Sequence, residues 1–258
     1  MRIVVLVKEV PDTYGDRVLD PETGLADRAA SDRVIDEIGE RALEAALSYA
    51  DAHPGTEVVA MMMAAEEATP TLRKALALGA GSAVQIVDEA LRGADLGLTA
   101  QALAAAIART GFDLVIAGNQ STDGVGGVIP AMIAERLGVA SATGLARLEL
   151  VEDAVEGDRP GDGAVRRIRA ELPAVISITE AMPEARMAGF KGVMAAKKKP
   201  IETLSLADLG VDADDPDVAR SIMIAIAARP PRAAGQVIVD EGDGGTRLAE
   251  FLIQNRLV

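Results

Sequence analysis

The chemical potential of this chain lies less in reactive side chains than in a cluster of glycines. The stretch DLVIAGNQSTDGVGGVIPA (113–131) leaves an apolar run, Leu114–Ala117, through Gly118, Asn119, Gln120, Ser121, Thr122 and Asp123. It continues through Gly124, Val125, Gly126, Gly127, Val128 and Ile129 into an alanine-rich helical pattern with Pro130 near its first turn. A buried strand that ends in a glycine-rich loop opening a helix is suited to holding phosphate. Loop and first-turn N–H groups have no intrachain acceptor there, and the helix dipole adds partial positive charge. The loop contains no Lys or Arg, so backbone donors carry the expected binding. The spacing is not GxxxxGK[ST], which excludes the P-loop of an ATPase, and no GxGxxG follows the first strand, which excludes a nicotinamide fingerprint. Taken alone, such a loop also serves merely to turn the chain, and both readings stand at this point.

Other chemistries are poorly provided for. The absence of cysteine rules out disulfides, thiolate zinc, iron–sulfur clusters and a cysteine nucleophile. The single histidine, His53, sits in DAHPG at an expected helix end, a place for capping rather than catalysis. No acid–base pair or nucleophile has convincing context, so no catalytic residue and no metal ligand is assigned. A formal net charge of −14 argues against nucleic acid and anionic membranes as partners, while leaving room for one small nucleotide. The opening MRIVVLVKEV reads as a strand and not a signal peptide. No apolar run approaches the ~18 residues of a membrane span. A cytoplasmic protein without membrane insertion is expected.

The elements that position the loop follow a β–α rhythm. Residues 2–8 read as a central, doubly covered strand, followed by a polar loop to about residue 33. A helix begins near Asp36, an N-cap with Glu37 and Glu40 in the first turn, and turns Ile38, Ala42, Ala45, Ala46 and Tyr49 inward. Strands follow at 56–63 and 83–87, with helices over 67–79 and 96–110. The result is a mostly parallel sheet wound by right-handed crossovers, with ligands at strand carboxyl ends where the winding reverses. Val7, Met63 and Gly118 converge there.

Past residue 138 the texture changes. Ala146–Val151 and Ala164–Leu172 alternate around EGDRPGDG, which predicts a β-hairpin, and 173–179 is another buried strand. EARMAGFKGVMAAKKKPIE (184–202) sets Met187, Phe190, Val193 and Met194 beside Lys197–Lys199. It reads either as a helix stripe with a solvated end or as an exposed anchor for a partner. From Asp212 periodicity is lost; an apolar run at 222–227 and RPPR (229–232) precede an amphipathic helix at about 246–256. The expectation is a nucleotide-binding domain over 1–211 and an arm over 212–258 that packs on another subunit.

Seven of these segments, in order, resemble the β subunit of electron-transferring flavoproteins across essentially the whole chain. They are VLVKEVPDT, DEIGERALEAAL, RKALALGAG, DLVIAGNQSTDGVGG, LPAVISITE, MAAKKKPIE and RPPRAAG. NQSTDGVGG matches the actinobacterial-type branch. The resemblance implies an α/β, doubly wound, mostly parallel fold of the adenine-nucleotide α-hydrolase-like, Rossmann-like kind, with a β-hairpin insertion and an extended C-terminal arm. It implies a heterodimer with an α subunit that holds most of one FAD, and a structural AMP in this subunit. It also implies docking of acyl-CoA-type dehydrogenases as donors, a membrane quinone oxidoreductase as acceptor, and no catalysis by this chain itself.

Carried over, the AMP pocket takes Leu6, Asp36, Glu37, Ile38, Gly39, Met63 and the loop from Gly118 through Ile129, with phosphate on the N–H groups of Gly126, Gly127, Val128 and Ile129. Positions that supply Asn and Gln to phosphate elsewhere in the family are Gly127 and Val128 here. Val10, Pro11, Asp12 and Thr13 fall near the FAD. Residues 184–196 correspond to the partner-recognition loop, with Phe190 at an anchor position that is leucine elsewhere. Two alternatives remain: an electron-bifurcating relative with a second FAD in the nucleotide site, and a stand-alone nucleotide-binding regulator of the universal-stress type. The first usually carries a DGDTAQVGP-like loop where this chain has DGVGGVIPA, and the second does not explain the tail or the Phe190 segment.

Overall fold

Strand β1 (Arg2–Leu6) is covered on both sides, with Ile3 and Val5 in one apolar cluster and Val4 and Leu6 in the other. That double coverage is why its sequence is an unbroken apolar run and not an alternation. The computed structural model describes residues 1–258 except 16, 228, 229, 233, 234 and 236, and the chain divides into two units, Met1–Ile224 and Ala225–Val258.

After β1, β2 (Glu9–Pro11) and β3 (Arg33–Ile35) pair antiparallel and close the base of the long polar loop. Helix α1 (Glu37–Ala52) starts where expected, the Asp36 carboxylate accepting the Ile38 N–H. Its buried face carries Leu43 and Leu47 as well as Ile38, Ala42 and Ala46, while Ala45 and Tyr49 are only partly covered. Next come β4 (Glu57–Met63), α2 (Thr69–Leu78), β5 (Ser82–Ile86), α3 (Leu96–Thr110), β6 (Leu114–Gly118) and α4 (Ile129–Leu137).

Strand β7 (Ala140–Leu145) leads into an antiparallel meander of β8 (Arg147–Val151), β9 (Ala154–Gly161) and β10 (Ala164–Glu171). The chain then returns through β11 (Ala174–Ile178), α5 (Phe190–Ala196), β12 (Ile201–Leu204) and α6 (Leu206–Leu209).

The main sheet has seven strands in the order β12-β5-β4-β1-β6-β11-β7, every pairing parallel. Leu43 of α1 and Leu72 and Leu76 of α2 cover one face; Leu103 and Ile107 of α3 and Ile133 of α4 cover the other. This is the doubly wound α/β architecture. Winding runs outward from β1 through β4 to β5, and α3 then carries the chain back to lay β6 on the opposite side of β1. The β1/β6 carboxyl ends therefore form the switch point.

Five strands went unforeseen in the sequence pattern, among them β2 and β3 at the two ends of the expected polar loop. β7 and β12 are short edge strands, and the expected hairpin is a three-stranded meander because β9 occupies most of EGDRPGDG. Gly157 is there for closeness and not for a turn: a Cβ would lie 2.6 Å from the Arg147 carbonyl. Pro160 lies past the last β8–β9 pair, Arg147–Asp158, where the strand has a partner on one side only.

In the second unit, the described residues form one helix, α7 (Gly244–Gln254), none of whose residues is buried. Between α6 and α7 the described residues form no regular element; Arg229 of RPPR lies outside them.

Candidate functional site

At the β1/β6 switch point, α1 and the glycine loop are joined by one buried carboxylate. Asp36 is 3% exposed; one oxygen accepts the Ile38 N–H at 3.1 Å and the other accepts the Thr122 N–H at 2.7 Å and the Thr122 hydroxyl at 2.9 Å. The same residue thus caps a helix and fixes the loop that follows β6. Gly118 allows the close fit, since a Cβ there would sit 3.0 Å from Ile38 Cγ2.

Beyond Thr122 the loop turns through Val125, which holds a left-handed φ of 51° although it is β-branched, and through Gly127 at φ 67°. No side chain caps α4. Among the described residues the N–H groups of Gly126, Gly127, Val128 and Ile129 find no acceptor in the chain. The Asn119 side-chain oxygen is buried and also lacks a donor. An unpaired buried polar group is costly and rare; it lines a cavity of about 1260 Å³ to which Gly126, Gly127 and Ile129 also belong, the two glycines on its exposed rim.

Of the residues expected at a nucleotide, the cavity is lined by Leu6, Asp36, Gly39, Met63, Gly118, Asn119, Gln120, Ser121, Gly124, Gly126, Gly127 and Ile129. Thr122 and Asp123 stand behind this wall and fasten it, while Val125 and Val128 are exposed. Ile38 is core, 4% exposed, and Glu37 lines a different cavity. Val10 and Pro11 are buried in β2, so that of the residues expected near a flavin only Asp12 and Thr13, at the start of the loop, reach the surface. His53 caps the end of α1, its ring stacked on Tyr49 and its Nδ1–H donating to the Tyr49 carbonyl.

Cations reach the cavity from outside the glycine loop, which the loop sequence could not reveal. Lys8, just past β1, donates to Asp123 at 2.7 Å and to Ser121 at 3.1 Å; Arg28, in the long 12–32 loop, lies 3.5 Å from Asp123 and donates to the Glu9 carbonyl. Burial pushes the Asp123 carboxyl up, but the hydrogen bonds of Lys8 and Ser121 and the charges of Lys8 and Arg28 outweigh it and hold it below the ordinary range. Lys8 carried a signal, a charge directly after a buried strand; Arg28 carried none.

The other expected contact region lies elsewhere on the first unit. Met187 is 94% and Phe190 82% exposed, with Val193 and Met194 beside them at about half exposure. Below them, between α1, α2 and the 184–197 segment, is a cavity of about 890 Å³.

Comparison with known proteins gives the setting. A model described as the electron transfer flavoprotein domain matches residues 23–209. The electron transfer flavoprotein subunit beta of Mycobacterium tuberculosis is 43% identical over 263 residues, covering 99% of both chains. The chain belongs to the electron transfer flavoprotein β-subunit family. Within that family the subunit beta of Bacillus subtilis is 33% identical, over 83% of each chain. The caffeyl-CoA reductase–Etf complex subunit CarD of Acetobacterium woodii is 34% identical, over 82% of this chain and 80% of its own. The domain match takes in α1, the glycine loop and the Phe190 segment and stops at the end of α6; Leu6 and Lys8 of the crevice precede it. These relatives carry the names of electron transfer flavoprotein subunits or of an Etf complex subunit. Among the described residues no cluster suited to a metal ion occurs, and no helix is long and apolar enough to cross a membrane.

Proposed function

We propose that this chain is the β half of a heterodimeric electron carrier and binds AMP as a structural ligand at the β1/β6 crevice. The observation that carries the nucleotide reading is the row of acceptor-free N–H groups from Gly126 to Ile129 on the rim of the large cavity. These groups hold the phosphate, with Lys8 and Arg28 offsetting its charge. Asn119 offers its unpaired oxygen to a ribose hydroxyl or an adenine amine. Leu6, Gly39 and Met63 supply apolar wall to the purine, and Asp36 and Asp123 keep the loop in place without touching the ligand.

The redox group is FAD, held mainly by the α subunit, and it accepts electrons from acyl-CoA-type dehydrogenases and passes them to a membrane quinone oxidoreductase. This chain contributes position and shielding and no chemistry of its own. Asp12 and Thr13 face toward the flavin, Met187, Phe190, Val193 and Met194 dock the donor, and residues 212–258 form the arm that grips α. The location is cytoplasmic.

The cavity exceeds the about 300–1,000 Å³ usual for small-molecule sites, so a second FAD is the competing occupant. The run of valine and glycine in DGVGGVIPA favours the smaller ligand, since it offers few side chains to a second nucleotide half. The test is to co-express the chain with its α partner, denature the purified pair and count what is released. One FAD and one AMP per heterodimer is the expected result; two FAD replaces AMP, and a pair that carries no nucleotide overturns the site.

A further inference from the structure

The segment that bears Met187 and Phe190 has almost no secondary structure of its own before α5, yet its stem is fastened at every step to the outer face of α1. Arg41 donates to the Met182 carbonyl and lies 3.7 Å from Glu184. Glu44 takes three hydrogen bonds from Arg186: the backbone N–H at 3.0 Å, Nε at 2.7 Å and a terminal NH2 at 2.8 Å. The remaining guanidinium nitrogen lies 2.9 Å from Asp51, and Ser48 donates to Glu44 at 2.8 Å. Arg41, Glu44, Ser48 and Asp51 follow i, i+3, i+7, i+10 spacing, one stripe of one helix. The far leg is fixed as firmly. Arg73 of α2 donates to the carbonyls of Ala196 and Lys199, both at 2.7 Å, and a Cβ on Gly192 would meet the Ala77 carbonyl. Between these two legs the two most exposed apolar side chains of the segment stand at a crest.

We propose that Arg186, clamped by Glu44 and Asp51, is a positioning residue that presents Met187 and Phe190 in a fixed orientation before any partner arrives. The fork geometry is what does this: a planar guanidinium held along one edge by Glu44 and at its third nitrogen by Asp51 fixes direction as well as distance, which a single ammonium contact does not. The Glu44 carboxyl is accordingly pushed down to about 2, chiefly by the Arg186 hydrogen bonds. Without the clamp, the crest must be ordered when the partner binds, and that ordering subtracts from affinity and not from the electron-transfer step itself. The inference rests on the proposed docking role of this segment.

The test uses the co-expressed heterodimer with an acyl-CoA dehydrogenase as donor. Arg186→Ala and Glu44→Gln each raise KM for the flavoprotein about fivefold, the cost of ordering one or two side chains, with kcat and bound FAD unchanged. Arg186→Lys recovers only part of the loss. Phe190→Ala raises KM as well, Met187→Ala with Phe190→Ala raises it further, and adding Arg186→Ala to that pair changes little more, because a clamp with neither anchor to present has nothing left to do. A full multiplicative effect in the triple variant overturns the proposal, as does a normal KM in Arg186→Ala beside a raised one in Phe190→Ala. If Phe190→Ala itself is silent, it is the docking reading that fails. Amide exchange of residues 187–191 in the heterodimer without donor then decides the clamp alone: faster exchange in Glu44→Gln supports it, and unchanged protection overturns it.

Discussion

Replacing Asp36 by alanine isolates the link between the fold and the nucleotide site. Two effects add. The lost N-cap of α1 costs about 0.5–2 kcal/mol. The half-buried Thr122 N–H, 2.7 Å from the missing oxygen, loses its acceptor at about 1–3 kcal/mol. The two share one side chain, so a total of about 2–4 kcal/mol is expected. For a chain of this size each kcal/mol moves the unfolding midpoint by about 2–4 °C, and the heterodimer should melt roughly 5–15 °C lower. The loop from Asn119 to Gly127 loses its tie to α1 at the same time, so AMP content after gel filtration falls in parallel. Asp36→Asn is the control. Its remaining oxygen still caps Ile38, but its amide points a donor at the Thr122 N–H, so it falls between parent and alanine in stability and keeps little nucleotide. Differential scanning calorimetry with nucleotide release reads both. An Asp36→Ala protein within about 0.5 kcal/mol of the parent, the range of an ordinary surface change, or one that keeps its AMP, refutes the coupling.

Gly127→Val should expel the nucleotide with modest loss of stability: the nearest protein atom to its Cβ is the Asn119 carbonyl at 3.9 Å, so the effect comes from a φ of 67° that valine resists and from a side chain in the phosphate's place. Full AMP on denaturing extraction contradicts it. Acid titration should expose the Glu44–Arg186 pair. Because the folded carboxyl sits near 2 against an ordinary 4.5, its stabilisation is complete above pH 4.5 and is lost as pH falls toward 2. The gap between parent and Glu44→Gln midpoints should therefore close over that window, and a constant gap counts against it. The chain purified alone should be less stable than the heterodimer, since α7 carries Leu248 and Ile253 exposed; equal melting temperatures with and without α would remove the arm from the interface.

What the sequence made legible were features whose cause is local. β1 was readable because burial on both faces leaves a pattern in consecutive residues, and the start of α1 because Asp36 caps it from the adjacent position. The glycine loop was readable for the same reason. β7 and β12 were not, because an edge strand draws its partner from a distant segment: Ile201–Leu204 pairs with Ala83–Ile86. Gly157 misled because a glycine demanded by a neighbouring carbonyl looks the same in sequence as one demanded by a turn. Arg28 and the Arg186–Glu44 pair were invisible because their meaning lies in contacts 95 and 142 positions away.

Charge placement explains how so acidic a chain can favour an anion. Three acidic groups at the crevice are already engaged: Asp36 by α1 and Thr122, Asp123 by Lys8 and Arg28, and Glu9, 6% exposed, by the Thr71 hydroxyl at 2.6 Å and by Arg33. Asp123 pairs with both Lys8 and Arg28, which sets two cations close to N–H groups that have no acceptor. Net charge describes the solvated exterior, whereas a ligand in a cavity meets only the groups that face it, in a medium where nearby charges count for more than in water. The formal −14 and a phosphate at Gly126–Ile129 are therefore compatible, and Lys8→Met should weaken nucleotide retention even though it makes no change to the glycine loop itself.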